Sequence, residues 1–181
     1  QILKSQLSGS FPVVVKSSNA DNALPGFYFV GDENSILSVA QSGLVNDKSP
    51  EIFRLSAVTN EEGLVDIVYQ YSSHPLHLLS NGDDSIQFEN RYVVLSGLKQ
   101  FRIGYYGYVN YEMQGIANES TVPVPPKWMD ELNGLNSQLM PLTIRIEYQS
   151  ESEYSEMYID MDRKSVRYIS ESIQRAADET F

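Results

Sequence analysis

Short alternations of apolar and polar residues dominate the chain. The clearest runs from Leu142 to Gln149, where Leu142, Ile144, Ile146 and Tyr148 alternate with Thr143, Arg145, Glu147 and Gln149. That is the period of a strand with one buried face. Met157, Ile159 and Met161 repeat the pattern opposite Tyr158, Asp160 and Asp162, and the link Ser150 to Tyr154 predicts a hairpin between the two. Gln100 to Val109 sets Phe101, Ile103 and Tyr105 against Arg102, Gly104 and Tyr106. Upstream, Gly26 to Val30, Ile36 to Val39, Glu51 to Val58 and Leu64 to Tyr71 each mix β-branched or aromatic residues with polar ones. The polar stretch Thr59 to Gly63 predicts that the last two form a hairpin. Within it Val65, Ile67, Tyr69 and Tyr71 share one face, and Asp66 and Gln70 the other. Leu76 to Leu79, the Asn81 to Asp84 turn, Ser85 to Glu89 and Tyr92 to Leu95 form a second group of extended segments, in which the turn predicts another hairpin.

Helical signals are few. Gln1 to Ser8 places Leu3 and Leu7 four apart on one face, and Pro12 stops any helix there. Two turns alone in water are marginal, so the segment predicts either the end of a longer helix cut upstream or a disordered terminus. Pro126 to Leu132 predicts a short helix, with Pro126 near its start, Gly134 past its end and the chain's one tryptophan, Trp128, within it. Ser17 to Gly26 and Gln114 to Pro126 read as loops, and Ser165 to Phe181 as a tail that either strand or helix would satisfy. Residues 1–181 thus read as one domain, with 1–10 a truncated helix end, antiparallel strands after it, and 165–181 the tail.

A chain of 181 residues suffices for one domain, large enough to bury about 70% of its unfolded surface. The absence of cysteine excludes disulfides, thiolate metal sites and cysteine nucleophiles. Thirteen basic residues against twenty-four acidic ones give a net charge of −11, which repels nucleic acid and anionic lipid. No apolar run approaches the roughly 20 residues of a membrane-spanning helix. The chain begins with Gln1, which predicts a processed or shortened form.

Motifs for catalysis are missing: no glycine-rich phosphate loop, no Gly-x-Ser-x-Gly elbow, no His-Glu-x-x-His. No catalytic, cofactor-binding or metal residue is assigned, no cofactor is expected, and the chain is expected not to be an enzyme. His74 and His77 flank Pro75 without a third ligand. The acidic pairs Asp32 and Glu33, Asp83 and Asp84, and Asp160 and Asp162 lack the spacing of a calcium loop and read as solvated turns or strand faces. Tyr105, Tyr106, Tyr108 and Tyr111 form the densest aromatic cluster, suited to stacking sugars or filling an interface. Alternation assigns Tyr105 to a different face from Tyr106 and Tyr108.

The block Val93 to Tyr106, reading Val-Val-Leu-Ser-Gly-Leu-Lys-Gln-Phe-Arg-Ile-Gly-Tyr-Tyr, then Trp128, then Met140-Pro141-Leu142-Thr143-Ile144-Arg145-Ile146-Glu147, resembles the J-type minor pseudopilins of bacterial type II secretion systems. The resemblance implies an α+β, pilin-like fold with the end of an N-terminal helix packed on antiparallel β-sheets. It implies a non-enzymatic structural subunit at the tip of the pseudopilus, assembling with I-type and K-type minor pseudopilins and touching secreted cargo. The domain would then lie in the periplasm, anchored to the bacterial inner membrane by an apolar helix preceding Gln1. Ile2, Leu3 and Leu7 would belong to the partner-facing helical end, the alternative being packing on the protein's own sheet. A second tryptophan often found in the family is missing, which keeps open a minor pilin of a type IV pilus or competence system. A carbohydrate-binding or adhesive module using Tyr106 and Tyr108 is the reading from another class.

Overall fold

The computed structural model of the chain describes residues 2–15, 25–43, 49–72, 86–119, 124–161, 168–171 and 174. The chain opens with helix α1 (Ile2–Ser8) and the short strands β1 (Val14–Val15), β2 (Gly26–Phe27) and β3 (Val30–Gly31). Longer strands follow: β4 (Ser35–Ala40), β5 (Glu51–Thr59), β6 (Val65–Ser72), β7 (Asn90–Leu98) and β8 (Gln100–Gly107). After helix α2 (Tyr111–Glu119) come β9 (Lys127–Met129), β10 (Leu132–Asn133), helix α3 (Gly134–Ser137), β11 (Thr143–Gln149) and β12 (Tyr154–Asp160). The strands form a six-stranded sheet ordered β10-β3-β4-β5-β6-β7, a four-stranded sheet ordered β12-β11-β8-β9, and the ribbon β1-β2. Every described pairing is antiparallel.

This corrects the expected α+β, pilin-like fold. Twelve strands in three antiparallel sheets carry the architecture of the described residues, and α1 is seven residues long. Two turns of helix contribute little by themselves. What holds α1 is burial of Leu3 and Leu7, 8% and 1% exposed, in the same core as the strands. It is also tied to β4, with Phe11 N–H donating to the Val39 carbonyl at 2.7 Å and Gln41 N–H to the Gly9 carbonyl at 2.9 Å. Among the described residues no helix is long and apolar enough to cross a membrane.

The hairpins predicted at Thr59 to Gly63 and at Ser150 to Tyr154 form, while the turn of the one predicted at Asn81 to Asp84 lies outside the described residues. In the β5–β6 turn the Asn60 side-chain oxygen accepts from the N–H groups of Glu62 and Leu64, each at 3.0 Å, while Gly63 takes a φ of +77°. β11 and β12 pair throughout, from Thr143 with Asp160 to Gln149 with Tyr154. β7 and β8 are separated by one residue yet lie in different sheets. The crossing occurs at Gly97, with φ +70° and its N–H on the Asp66 carboxylate at 3.0 Å, and at Lys99, whose N–H donates to the Gln149 carbonyl.

Two expectations in the middle of the chain are overturned. The stretch expected as a loop from Gln114 lies in α2 as far as Glu119. The helix expected from Pro126 to Leu132 is instead β9 and β10, because Lys127, Trp128 and Met129 complete the edge of the four-stranded sheet against Gly107, Tyr106 and Tyr105. Helix starts only at Gly134, where the Asn133 side chain accepts from the N–H groups of Leu135 and Asn136. Of the tail, 168–171 are helical and Ile169 enters the core. The expected strands at 76–79 and the turn at 81–84 lie outside the described residues.

The main core lies between the two larger sheets, where Ile36, Phe53, Leu55, Ile67 and Tyr69 meet Ile103, Tyr105, Ile144, Ile146 and Ile159. The opposite face of the six-stranded sheet is also covered, with Tyr28, Leu37, Val39 and Ile52 forming a second cluster. β4 is therefore buried on both faces, which is why it reads as a nearly continuous apolar run. Tyr105 fastens the sheets together. Its hydroxyl donates into the β3–β4 turn, 2.8 Å from the Asp32 carbonyl and 3.0 Å from that of Ser35, and its ring lies against Gly31 where any Cβ would sit. Beside it, Ile103 N–H donates to the Glu33 carbonyl at 2.9 Å.

Tyr105→Phe leaves the ring in place and removes the hydroxyl, so we expect a loss of about 1–3 kcal/mol in urea denaturation. Gly31→Ala puts a methyl into the space of the Tyr105 ring and is expected to cost more. A Tyr105→Phe variant as stable as the parent would show that the turn is held by other means.

Burial raises the phenol pKa of Tyr105 well above its ordinary 10.0. Burial likewise raises that of Tyr69, with added effect from its hydrogen bond to Glu51 at 2.5 Å. A phenol raised in the folded state holds its proton there while the unfolded chain begins to release it. The stability contributed by these groups is thus intact below about pH 10 and is lost as pH rises toward their folded values. Denaturation midpoints are expected to fall above that pH, with some phenolate absorbance appearing only together with unfolding.

Candidate functional site

The outward face of the four-stranded sheet carries the largest described grouping of exposed aromatic rings. The strand period and register set its members: Tyr106 opposite Trp128, Gly104 opposite Arg145, Arg145 opposite Tyr158, and Glu147 opposite Glu156. Trp128, 40% exposed, lies at the centre. The Tyr106 ring is 5.2 Å from it at a tilt, and Tyr158, 50% exposed, meets it edge-on at 6.0 Å. The Arg145 guanidinium lies 4.8 Å over the indole, a cation–π contact. Gly104 provides the floor for this arrangement. A Cβ there would stand 3.5 Å from Arg145 Nη2 and 3.6 Å from Trp128 Cε3, so any longer side chain displaces one of them.

The electrostatics are arranged strand by strand. Glu147 and Glu156 face each other as like charges, an unfavourable cross-strand pair on its own. Arg145 offsets it by pairing with Glu147 at 3.2 Å. Tyr154 donates its hydroxyl to Glu147 at 2.9 Å, and Tyr158 donates to Glu156 at 2.6 Å. Those hydrogen bonds raise the phenol pKa of both tyrosines, because ionisation would set a phenolate against a carboxylate. Asp160 accepts from the Thr143 hydroxyl at 2.9 Å. Arg102 pairs with Asp130 and Glu33, each at 2.9 Å, and these neighbours raise its pKa further. The Arg145 Nε is buried and has no hydrogen-bond acceptor among the described residues.

The sequence-predicted residues fall in different places. Tyr106 belongs to the outward face, Tyr105 to the core, and Tyr108 is half-buried just past β8. Tyr111 starts α2 with its hydroxyl 3.1 Å from Ser170 Oγ, so the tyrosine cluster does not act as one surface. Leu3 and Leu7, expected at a partner-facing helical end, are in the protein's own core because the strands lack other cover there. Ile2 lies in α1, and the placement of its side chain falls outside what is described. Asp32 caps its own turn, accepting from Asn34 N–H at 2.7 Å and Ser35 Oγ at 2.8 Å. His74, His77, Asp83, Asp84 and Asp162 lie outside the described residues. Among the described ones no group of three or more acidic or histidine side chains is placed to hold a metal ion.

Trp128 and its neighbours escaped the sequence reading for a definable reason. Arg145 and Tyr158 were legible as outward positions on a predicted hairpin, but Trp128 joins them only because its segment pairs as a strand with β8. No family model matches the chain, and no curated protein or solved structure is significantly similar to it.

Trp128 is the single tryptophan of the chain, so its fluorescence reports this face alone. Gly104→Ala adds a methyl at ordinary contact distance and is expected to leave the emission unchanged. Gly104→Leu is expected to push the indole outward and shift its emission to the red, with the far-UV circular dichroism retained. Identical spectra for the parent and the leucine variant would contradict the packing described here.

Proposed function

We propose that the chain is a non-enzymatic structural subunit, a minor pseudopilin acting in type II protein secretion through contacts with I-type and K-type partners. One observation carries the reading. Three of the stretches that bear the family resemblance, Gln100 to Tyr106, Trp128 and Thr143 to Glu147, lie side by side in β8, β9 and β11 of one sheet, while Val93 to Leu98 belongs to β7 of the other. Such segments would form a unit if they served one surface. The reading rests on that sheet and not on the helix-on-sheet architecture expected with it. The exposed face over those strands has the composition of an interface centre, with tryptophan, tyrosine and arginine gathered in one place. Secretion requires no chemistry from such a subunit, and the proposal carries a periplasmic location with it.

Deleting the gene is expected to abolish exoprotein secretion while leaving twitching motility and DNA uptake intact. The reverse pattern would transfer the reading to a type IV pilus or competence minor pilin. In the complemented strain, Trp128→Ala with Tyr158→Ala is expected to reduce co-purification of the I-type partner by about ten-fold or more, since truncating central aromatic contacts costs about 2 kcal/mol each. The denaturation midpoint of the double variant serves as the control for folding. Full recovery of the partner by the folded double variant would remove this face from the interface.

A further inference from the structure

The four-stranded sheet ends in an open edge at β12, which pairs with β11 and with no other strand among the described residues. Antiparallel pairing turns the N–H and C=O of successive residues to opposite sides of a strand. Ser150 N–H donates to the Glu153 carbonyl and Met161 N–H to that of Leu142, at the two ends of the β11–β12 register. Ser155, Met157 and Ile159 therefore direct their backbone groups to β11, while Tyr154, Glu156, Tyr158 and Asp160 turn theirs to the open edge. The side chains of those same four residues are exposed on the outward face of the sheet. Helix α1 meets β12 from the core side, where Leu3 and Leu7 share a cluster with Ile159.

Sheet edges are commonly blunted by a lysine, a proline or a bulge. β12 has none of these, and its register with β11 is unbroken over seven residues. Its charges are two carboxylates instead. Glu156 accepts from the Tyr158 hydroxyl and Asp160 from that of Thr143, and neither has a cationic partner among the described residues. A second copy of the chain would bring its own charge of −11 and its own carboxylates to this edge, which opposes self-pairing. A strand carrying cations meets the opposite situation. Glu156 and Asp160 lie about 14 Å apart along an extended strand, so two cations at the same spacing would face both. The Tyr154 and Tyr158 rings beside them offer apolar surface to the stems of long basic side chains.

We propose that β12 accepts an extended, basic segment of another protein as a fifth strand of this sheet, with lysine or arginine opposite Glu156 and Asp160. The main chain supplies affinity in this mode of recognition, and the side chains supply selectivity. The inference stands apart from the secretion reading, because it uses the edge opposite β9 and does not need the indole of Trp128.

The test combines amide NMR and hydrogen exchange on the purified chain with a capped synthetic peptide containing Lys-Val-Thr-Val-Lys, and with Glu-Val-Thr-Val-Glu as its acidic counterpart. The basic peptide is expected to give saturable shifts. At saturation it is expected to slow exchange by about ten-fold at the amides of Tyr154, Glu156, Tyr158 and Asp160, leaving those of Ser155, Met157 and Ile159 little changed. Methylating the threonine nitrogen of the peptide removes a pairing N–H at constant charge and is expected to abolish that protection. Glu156→Lys combined with Asp160→Lys changes two exposed side chains. It is expected to weaken the basic peptide by about ten-fold and to make the acidic one the tighter ligand, with distant amide signals in place to establish folding. The proposal is overturned if the basic peptide gives no saturable shifts, if the acidic peptide binds the parent as tightly, or if the methylated peptide protects the same amides. It is equally overturned if those four amides are already protected in the free chain, whether by self-association or from within the chain.

Discussion

The docking of Tyr105 beneath the β3–β4 turn is the constraint on which the rest of the structure depends. A four-stranded sheet with one apolar face must cover it, and the six-stranded sheet offers the complementary surface. Hydrophobic burial brings the two together without fixing their relative position, since it has no direction. The Tyr105 hydroxyl supplies direction. It donates into a tight turn, 2.8 Å from the Asp32 carbonyl and 3.0 Å from that of Ser35, which also accepts from Asp32 N–H, and the ring fits only because residue 31 lacks a side chain. With Ile103 bound to the Glu33 carbonyl, the same turn engages two positions of β8 and sets the register between the sheets.

From that registration follows what faces outward. Fixing Tyr105 inward forces Gly104 and Tyr106 outward, and antiparallel pairing then brings Arg145 and Trp128 onto the same patch. A one-residue slip would bury Arg145 and expose Ile144 or Ile146, so the identity of the exposed patch is tied to the core by the strand period. The indole is held on two sides, by the guanidinium and by the Tyr158 edge, which limits the entropy such a surface loses on association.

Helix α1 shows how burial changes the meaning of a pattern. Leu3 and Leu7 have the spacing of a helical stripe, and such a stripe serves a partner or the protein's own core equally well. Here the core claims them. The Gln6 side chain comes along, its Oε1 3.3 Å from the Tyr69 hydroxyl, so the helix meets the sheet through polar as well as apolar contacts. The buried carboxylate of Glu51 is tolerated at this junction because Tyr69 donates to it.

The strands β5, β6, β8, β11 and β12 were legible in the sequence because a half-buried strand writes its period directly into the order of residues, as do turn formers such as Asn60 and Gly63. The inward assignment of Tyr105 was legible for the same reason. Other features were not, because they depend on residues far away in the chain. Lys127 to Met129 became a strand rather than a helix because β8 had an unpaired edge to fill, and no local property of those residues records that edge. Leu3 and Leu7 became core rather than surface because two sheets left a space beside them. The sequence by itself determined which side of each strand is apolar and that the chain is built from antiparallel strands. Tertiary structure alone decided which sheet each strand joins, because pairing is a contest among distant edges for the same hydrogen bonds. It also decided which aromatic rings meet on the outside.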